Sequence, residues 1–209
     1  MPCGLLYLDV LINFFNIFKK NNMKYKNIPR LFLKKEIKKN LILEISTKDK
    51  HYLCNVMRLK QGENFKIFNG LDGEWEASIL SIKNSTIKCL KQFRKQKKLT
   101  GPSLYFSIIK SSHLRWMIEK LTELGVVRLI PVITERTNIK NLNRKRILAH
   151  IKEASEVSGR IDLPILEETK TLKKILENIE FEEENLIFCN ENRDDKYLSE
   201  LFKQKFFRN

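Results

Sequence analysis

The groups in this chain that could do chemistry are set by position, with no dense cluster of them. Thr134-Glu135-Arg136 follow the apolar run VVRLIPV at 126–132, with Ile133 between. Polar residues just past the end of a buried strand are placed to line a site. Lys110 stands in a like relation to the run LYFSII, 104–109. Arg58 closes a short apolar helical pattern. It could be a cation favoured by the helix dipole or a guanidinium fork for phosphate oxygens. His51 opens the same pattern and reads equally as an ordinary surface residue of a first turn. Metal chemistry has no support in spacing. The cysteines at 3, 54, 89 and 189 make no CxxC, and His51, His113 and His150 stand far apart. No GxGxxG follows a strand-like run, so a dinucleotide fold of that type is not indicated. No residue stands out as a general base.

Two kinds of element would have to position these groups. From Ser103 onward, strand-like and helix-like patterns alternate. Leu114, Met117, Ile118, Leu121 and Leu124 recur at spacings of three and four, predicting a helix over 113–124 that closes at Gly125. A second face, Ile147, Leu148, Ile151, Ala154 and Ser158, predicts a helix over 144–158 closed by Gly159. TLKKILENI reads as a further helix, NLIFCNE as a strand and KYLSELF as a last helix. That order implies a mostly parallel sheet covered by helices. From Ile28 to about Phe93 the pattern is short strands: RLFL, LILEI, FKIF, WEASIL and TIKCLKQF. A short helix capped by Ser46 or Thr47 carries Tyr52, Leu53, Val56 and Met57. Asn-Gly and Asp-Gly in NGLDG supply a hairpin turn. A small barrel or folded sheet is expected there. RKQKKLTGP, 94–102, is a basic, turn-forming boundary between the two regions.

The formal charge is +15 and the sequence pI about 9.7, a surplus that points to a polyanion such as RNA. Scattered lysines in an Asn-, Ile- and Phe-rich chain also read as general composition. A hydrophobic fraction of 42% is enough to build a real core and excludes a disordered polymer. Unpaired cysteines point to a reducing, cytoplasmic setting. Residues 1–22 are apolar and end in Lys-Lys, but they are interrupted by Asp9 and Asn13 and lack a basic n-region and a cleavage site. They are expected to be an extension outside the fold, with Met23 as the true start. Peripheral membrane attachment through that segment is a weaker rival reading.

The strings WMIEKLTELGV-x-x-x-IPVITERT and KEASEVSGR-x-x-x-P resemble the RsmE family, and the similarity runs from about Met23 to about Asn192. The string HYLCNVMRLKQGENFKIFNGLDGE is similar to the PUA-like RNA-binding domain at the amino end of those proteins. The resemblance implies an α/β chain in which a small PUA-like β-barrel, residues 23–97, precedes a SPOUT-type methyltransferase domain, residues 98–209. It implies transfer of a methyl group from S-adenosyl-L-methionine (SAM) to N3 of a uridine in small-subunit ribosomal RNA. The expected partners are that RNA and a second copy of the chain, with no membrane and no metal.

The same resemblance implies roles. Arg136 and Arg160 would stabilise the uridine anion, with Glu135 and Glu156 orienting them. Val157 stands where the family's run has Gln. Arg30, His51, Arg58 and Lys110 would contact RNA, and Glu191 would lie on the first cofactor-side loop. The family's GPEGG-type loop and LG-x-x-ILR-type segment, which complete a C-terminal trefoil knot, are absent from the sequence as it ends in LFKQKFFRN. The alternative expectation is therefore a catalytically dead, truncated remnant that still binds RNA.

Overall fold

The computed structural model describes residues 28–97, 100–137 and 141–178, together with Ile187 and Cys189. Five of the short β-forming runs build one sheet: β1 (Arg30–Phe32), β2 (Ile42–Glu44), β3 (Asn64–Phe68), β4 (Glu74–Ser81) and β5 (Thr86–Arg94). Their order is β1-β3-β4-β5-β2, parallel between β1 and β3 and antiparallel elsewhere. The turn between β3 and β4 is made by side-chain chemistry. Asn69 Oδ1 accepts from the amides of Leu71 and Asp72, and Asp72 Oδ2 accepts from Ile37 N. Gly73 closes the turn at φ +81°, where a Cβ would fall 2.2 Å from the Arg94 carbonyl oxygen. Only glycine fits there.

Ser46 caps α1 (Thr47–His51), its Oγ accepting from Asp49 N at 3.1 Å. The chain then widens into a π-helical turn, Tyr52–Val56, and Arg58 follows in a left-handed conformation at φ 57°. Here the sequence reading is corrected. The wider turn breaks the 3.6-residue period, so Leu53 enters the core while Val56 faces solvent. Phe65, Ile67, Leu31, Ile87 and Cys89 are among the residues that Leu53 joins in this first core. Burial pushes the Cys89 thiol up to about 11.

The second sheet is parallel: β6 (Ser103–Ser107), β7 (Arg128–Ile133) and β8 (Ile165–Leu166), in that order. α2 (Ser111–Glu123) and α3 (Arg144–Ser158) connect the strands and share a second core with Phe106, Leu129 and Leu166. Gly125 and Gly159 end the helices at φ 90° and 81°, as their positions in the sequence imply. Leu124 and Ser158, expected on the buried faces, are exposed, because each sits in the last turn where the chain leaves the sheet.

Residues Met1–Thr169 form one compact unit holding both cores, and Lys170–Asn209 a second. In the second, β9 (Lys170–Thr171) leads into α4 (Leu172–Leu176), capped by Thr171 Oγ1, which is shorter than the helix expected over 171–179. The expected strand NLIFCNE, apart from Ile187 and Cys189, the helix KYLSELF and residues 1–22 lie outside the described residues. Among the described residues no helix is long and apolar enough to cross a membrane.

Candidate functional site

Strand register assembles a charged seam between the two sheets. Arg30 pairs with Lys66 across β1 and β3, Phe68 with Glu74 across β3 and β4, and Glu74 with Arg94 across β4 and β5. Four charged side chains are thereby brought side by side. The fully buried Glu74 carboxylate accepts from Arg30 Nε at 2.6 Å and from Arg94 Nε at 2.8 Å, with Lys66 Nζ at 3.9 Å. Burial alone would push this carboxyl up. Hydrogen bonds from Arg94 and Arg30 outweigh it and hold Glu74 below the ordinary glutamate value. The Arg30 guanidinium also lies 4.6 Å from the centre of the Phe68 ring.

The outer donors of both arginines cross to α3. Arg30 donates to the carbonyls of Ser155, Glu156 and Arg160, and Arg94 to that of Gly159. The last carbonyls of a helix have no partner within it and carry partial negative charge. Two cations from the first sheet therefore cap a helix of the second. Arg160 does the same for α2. Its Nη1 donates to the carbonyls of Thr122 and Val126 at 3.0 and 2.8 Å, while Asp162 takes its Nε at 3.0 Å.

One turn back along α3, Glu156 Oε1 accepts from the Phe32 amide at 2.9 Å, and Lys152 Nζ lies 3.6 Å away. Burial pushes Glu156 up, and these partners only partly offset it. Lys152 also reaches Asp49 on α1 at 2.7 Å. Beside these contacts the two lobes enclose a groove of about 630 Å³, with Phe32, Leu33 and Ile45 on one wall and Leu148, Ala149 and Leu163 on the other. A second cavity, of about 560 Å³, lies by the segment joining the sheets and is lined by Arg94, Lys95, Lys97 and Arg160 among others.

The structure sorts the residues singled out by sequence into two groups. Arg30, Arg160 and Glu156 lie in the seam, and their polar atoms engage other parts of the protein. His51, Arg58, Lys110, Glu135 and Arg136 are exposed. Glu135 and Arg136 occupy the turn after β7, which is closed by Thr137 Oγ1 accepting from Thr134 N at 2.9 Å. The pairs Glu135/Arg136 and Glu156/Arg160 thus sit in different surroundings, one solvated and one packed. Glu191 lies outside the described residues. Sequence reasoning missed Glu74, Arg94, Asp49, Lys152 and Asp162. Glu74 falls on the strand face opposite Trp75, Ala77 and Ile79, which reads as solvent-facing unless a second layer is known to cover it. Arg94 was hidden within a basic linker.

A family model described as an RNA methyltransferase domain matches residues 96–207, and one described as an RNA methyltransferase PUA domain matches residues 45–91. The chain is 29% identical over 177 residues to the ribosomal RNA small subunit methyltransferase E of Rickettsia conorii, covering 83% of this chain and 70% of that one. It is also 29% identical over 163 residues to the protein of the same name from Synechocystis, covering 77% of this chain and 54% of the relative. The crystal structure of the methyltransferase E of Neisseria gonorrhoeae bound to S-adenosyl methionine superposes with a TM-score of 0.64 at 21% identity. That match covers 73% of this chain and 65% of the other. The matched segments follow the two sheets in order, and the methyltransferase match alone takes in more than half of the chain. The protein belongs to the RNA methyltransferase family, within its RsmE group.

Proposed function

We propose that the chain acts in SAM-dependent methylation of small-subunit ribosomal RNA, at N3 of a uridine. The observation that carries this reading is the succession of a PUA-like match on the antiparallel sheet and a methyltransferase match on the parallel one. In this reading residues 23–97 bind RNA and residues 98–209 hold the methyltransferase fold, working in the cytoplasm as a pair of chains. SAM supplies an electrophilic methyl group. The edge where β6 and β7 end suits such a zwitterionic nucleoside in chemical character, offering Lys110, Glu135 and Arg136, while the hydroxyls of Thr134 and Thr137 bond to each other at 3.0 Å and hold the turn. Uridine N3 must lose its proton to become a nucleophile, and the exposed Arg136 guanidinium is free to stabilise the resulting anion. Glu135 stands beside it to orient that cation. Arg58 and His51 are exposed on the first lobe, and the left-handed backbone at Arg58 is the kind of local strain that functional positions retain. Arg160 and Glu156 serve this site by holding α2, α3 and β1 in place.

The test is incubation of the chain with SAM and small ribosomal subunits lacking the modification, followed by nucleoside mass spectrometry. The expected product is 3-methyluridine, and Arg136→Ala should lower kcat about tenfold or more. A folded chain that binds the subunit yet transfers no methyl group would refute the enzyme reading and favour RNA binding alone.

A further inference from the structure

We propose that the groove between the lobes is a binding site for an unstacked nucleotide of single-stranded RNA. This rests on the RNA-directed reading above and assigns it a place. The walls are apolar and come from both lobes: Phe32 and Ile45 face Leu148 and Leu163 across about 630 Å³. That volume lies within the usual range of small-ligand sites, and a nucleobase offers the flat apolar faces such walls accept.

The mouth is cationic. Lys34 and Lys35 follow Phe32 and line the same groove, and Lys152 approaches from α3. Lys34 is exposed. Lys35 donates to the Glu44 carbonyl at 2.7 Å, and Lys152 is paired with Asp49 at 2.7 Å. Glu44 and Asp49 are the acidic members of the lining, and Asp49 is already neutralised. Lys152 faces Glu156 as well as Asp49 and is engaged by them, so the positive end of the rim is at Lys34 and Lys35, whose two charges against Glu44 leave one in surplus, complementary to a phosphate carried beside the base.

A duplex keeps its bases stacked and paired, so it could present only its backbone to this opening. An unstacked strand can place a base inside and its phosphate at Lys34. Leu148 is 43% exposed on the α3 wall, a large apolar side chain that such a base would cover. Two contacts beside the groove tie its walls together: Glu156 of α3 accepts from the Phe32 amide, and Lys152 of α3 donates to Asp49 of α1.

The experiment uses the full chain and a short single-stranded oligoribonucleotide bearing 4-thiouridine. Photocrosslinks are expected in the peptides containing Phe32 or Leu148. Leu148→Asp and Lys34→Glu should each weaken binding about tenfold, while Leu176→Asp, on an exposed leucine of α4 outside the groove lining, should leave it unchanged. Lys34→Glu lies wholly on the surface, so it tests the proposal even where Leu148→Asp perturbs folding. Wild-type binding that neither variant weakens, with crosslinks elsewhere, overturns the groove and leaves the methyltransferase reading standing. Equal competition by duplex RNA also overturns it. A folded chain that binds no RNA at all removes both, and the methyl-transfer assay fails with it.

Discussion

Glu74 is the residue on which most of the seam depends, although it touches α3 only through others. Its carboxylate fixes Arg30 and Arg94, and those two hold the carbonyls of Ser155, Glu156, Gly159 and Arg160. Removing one member of a buried ion pair strands the others and costs about 3–5 kcal/mol. Glu74→Ala should therefore lower the unfolding free energy by about 3 kcal/mol in urea titration, and a loss below about 1 kcal/mol would contradict the assignment. The pH dependence has a definite sign. Because the folded carboxyl is held below its ordinary value of 4.5, its contribution is fully present above that value. It is lost as pH falls toward the lowered one. Glu74→Gln should flatten this part of the acid unfolding curve. Glu156 acts in the opposite sense: its pKa is raised, so it costs stability while ionised, and the cost fades as pH drops through the raised value. Equal acid slopes for the wild type and Glu74→Gln would mean that Glu74 is not the titrating group.

At the scale of elements, what was readable in the sequence was local. α3 spans Arg144–Ser158 as the periodicity predicts, because its signals lie at its own ends: Asn143 Oδ1 accepts from Arg146 N at 3.1 Å, and Gly159 takes the left-handed stop. Two of the parallel strands, β6 and β7, and the β3–β4 hairpin were equally legible from runs and turn residues, whereas β8, two residues long, was not. The π-helical turn at Tyr52–Val56 was not, because one extra residue per turn leaves no compositional mark and shifts Val56 off the core. Nor was the seam, whose members lie far apart in sequence; Arg30 and Ser155 are separated by 125 positions. Roles for Arg160 and Glu156 were expected from short strings alone, and strings do not say which donors a fold has already used. Two element-scale outcomes follow from the caps and turns. Asn143→Ala should cost about 1 kcal/mol of stability by losing the cap. Gly73→Ala should cost at least about 2 kcal/mol, since it combines left-handed backbone strain with a Cβ driven into the Arg94 carbonyl. Thermal melts of both variants check the order, and a milder effect at Gly73 than at Asn143 would be inconsistent with the turn described.

At the scale of the molecule, a charge of +15 attracts any polyanion, so RNA affinity by itself would say little about how the protein is used. The salt dependence says more, because it counts the cations that meet phosphate. Affinity for small-subunit RNA should fall linearly on a double-logarithmic plot, and each lost contact should lower the slope by about 0.7–0.9. The structure separates two classes of arginine that such a count can distinguish. Arg58 is exposed, so Arg58→Ala should reduce the slope by about one contact and leave unfolding almost unchanged. Arg30 spends its guanidinium on Glu74, the Phe68 ring and three carbonyls. Arg30→Ala should therefore destabilise the chain and, in the fraction that remains folded, leave the slope where it was. The two measurements must be made together, since a partly unfolded sample also binds less RNA. A reduced slope with unaltered stability for Arg30→Ala would place that guanidinium on RNA rather than on α3, and the seam would then be a binding surface instead of a joint.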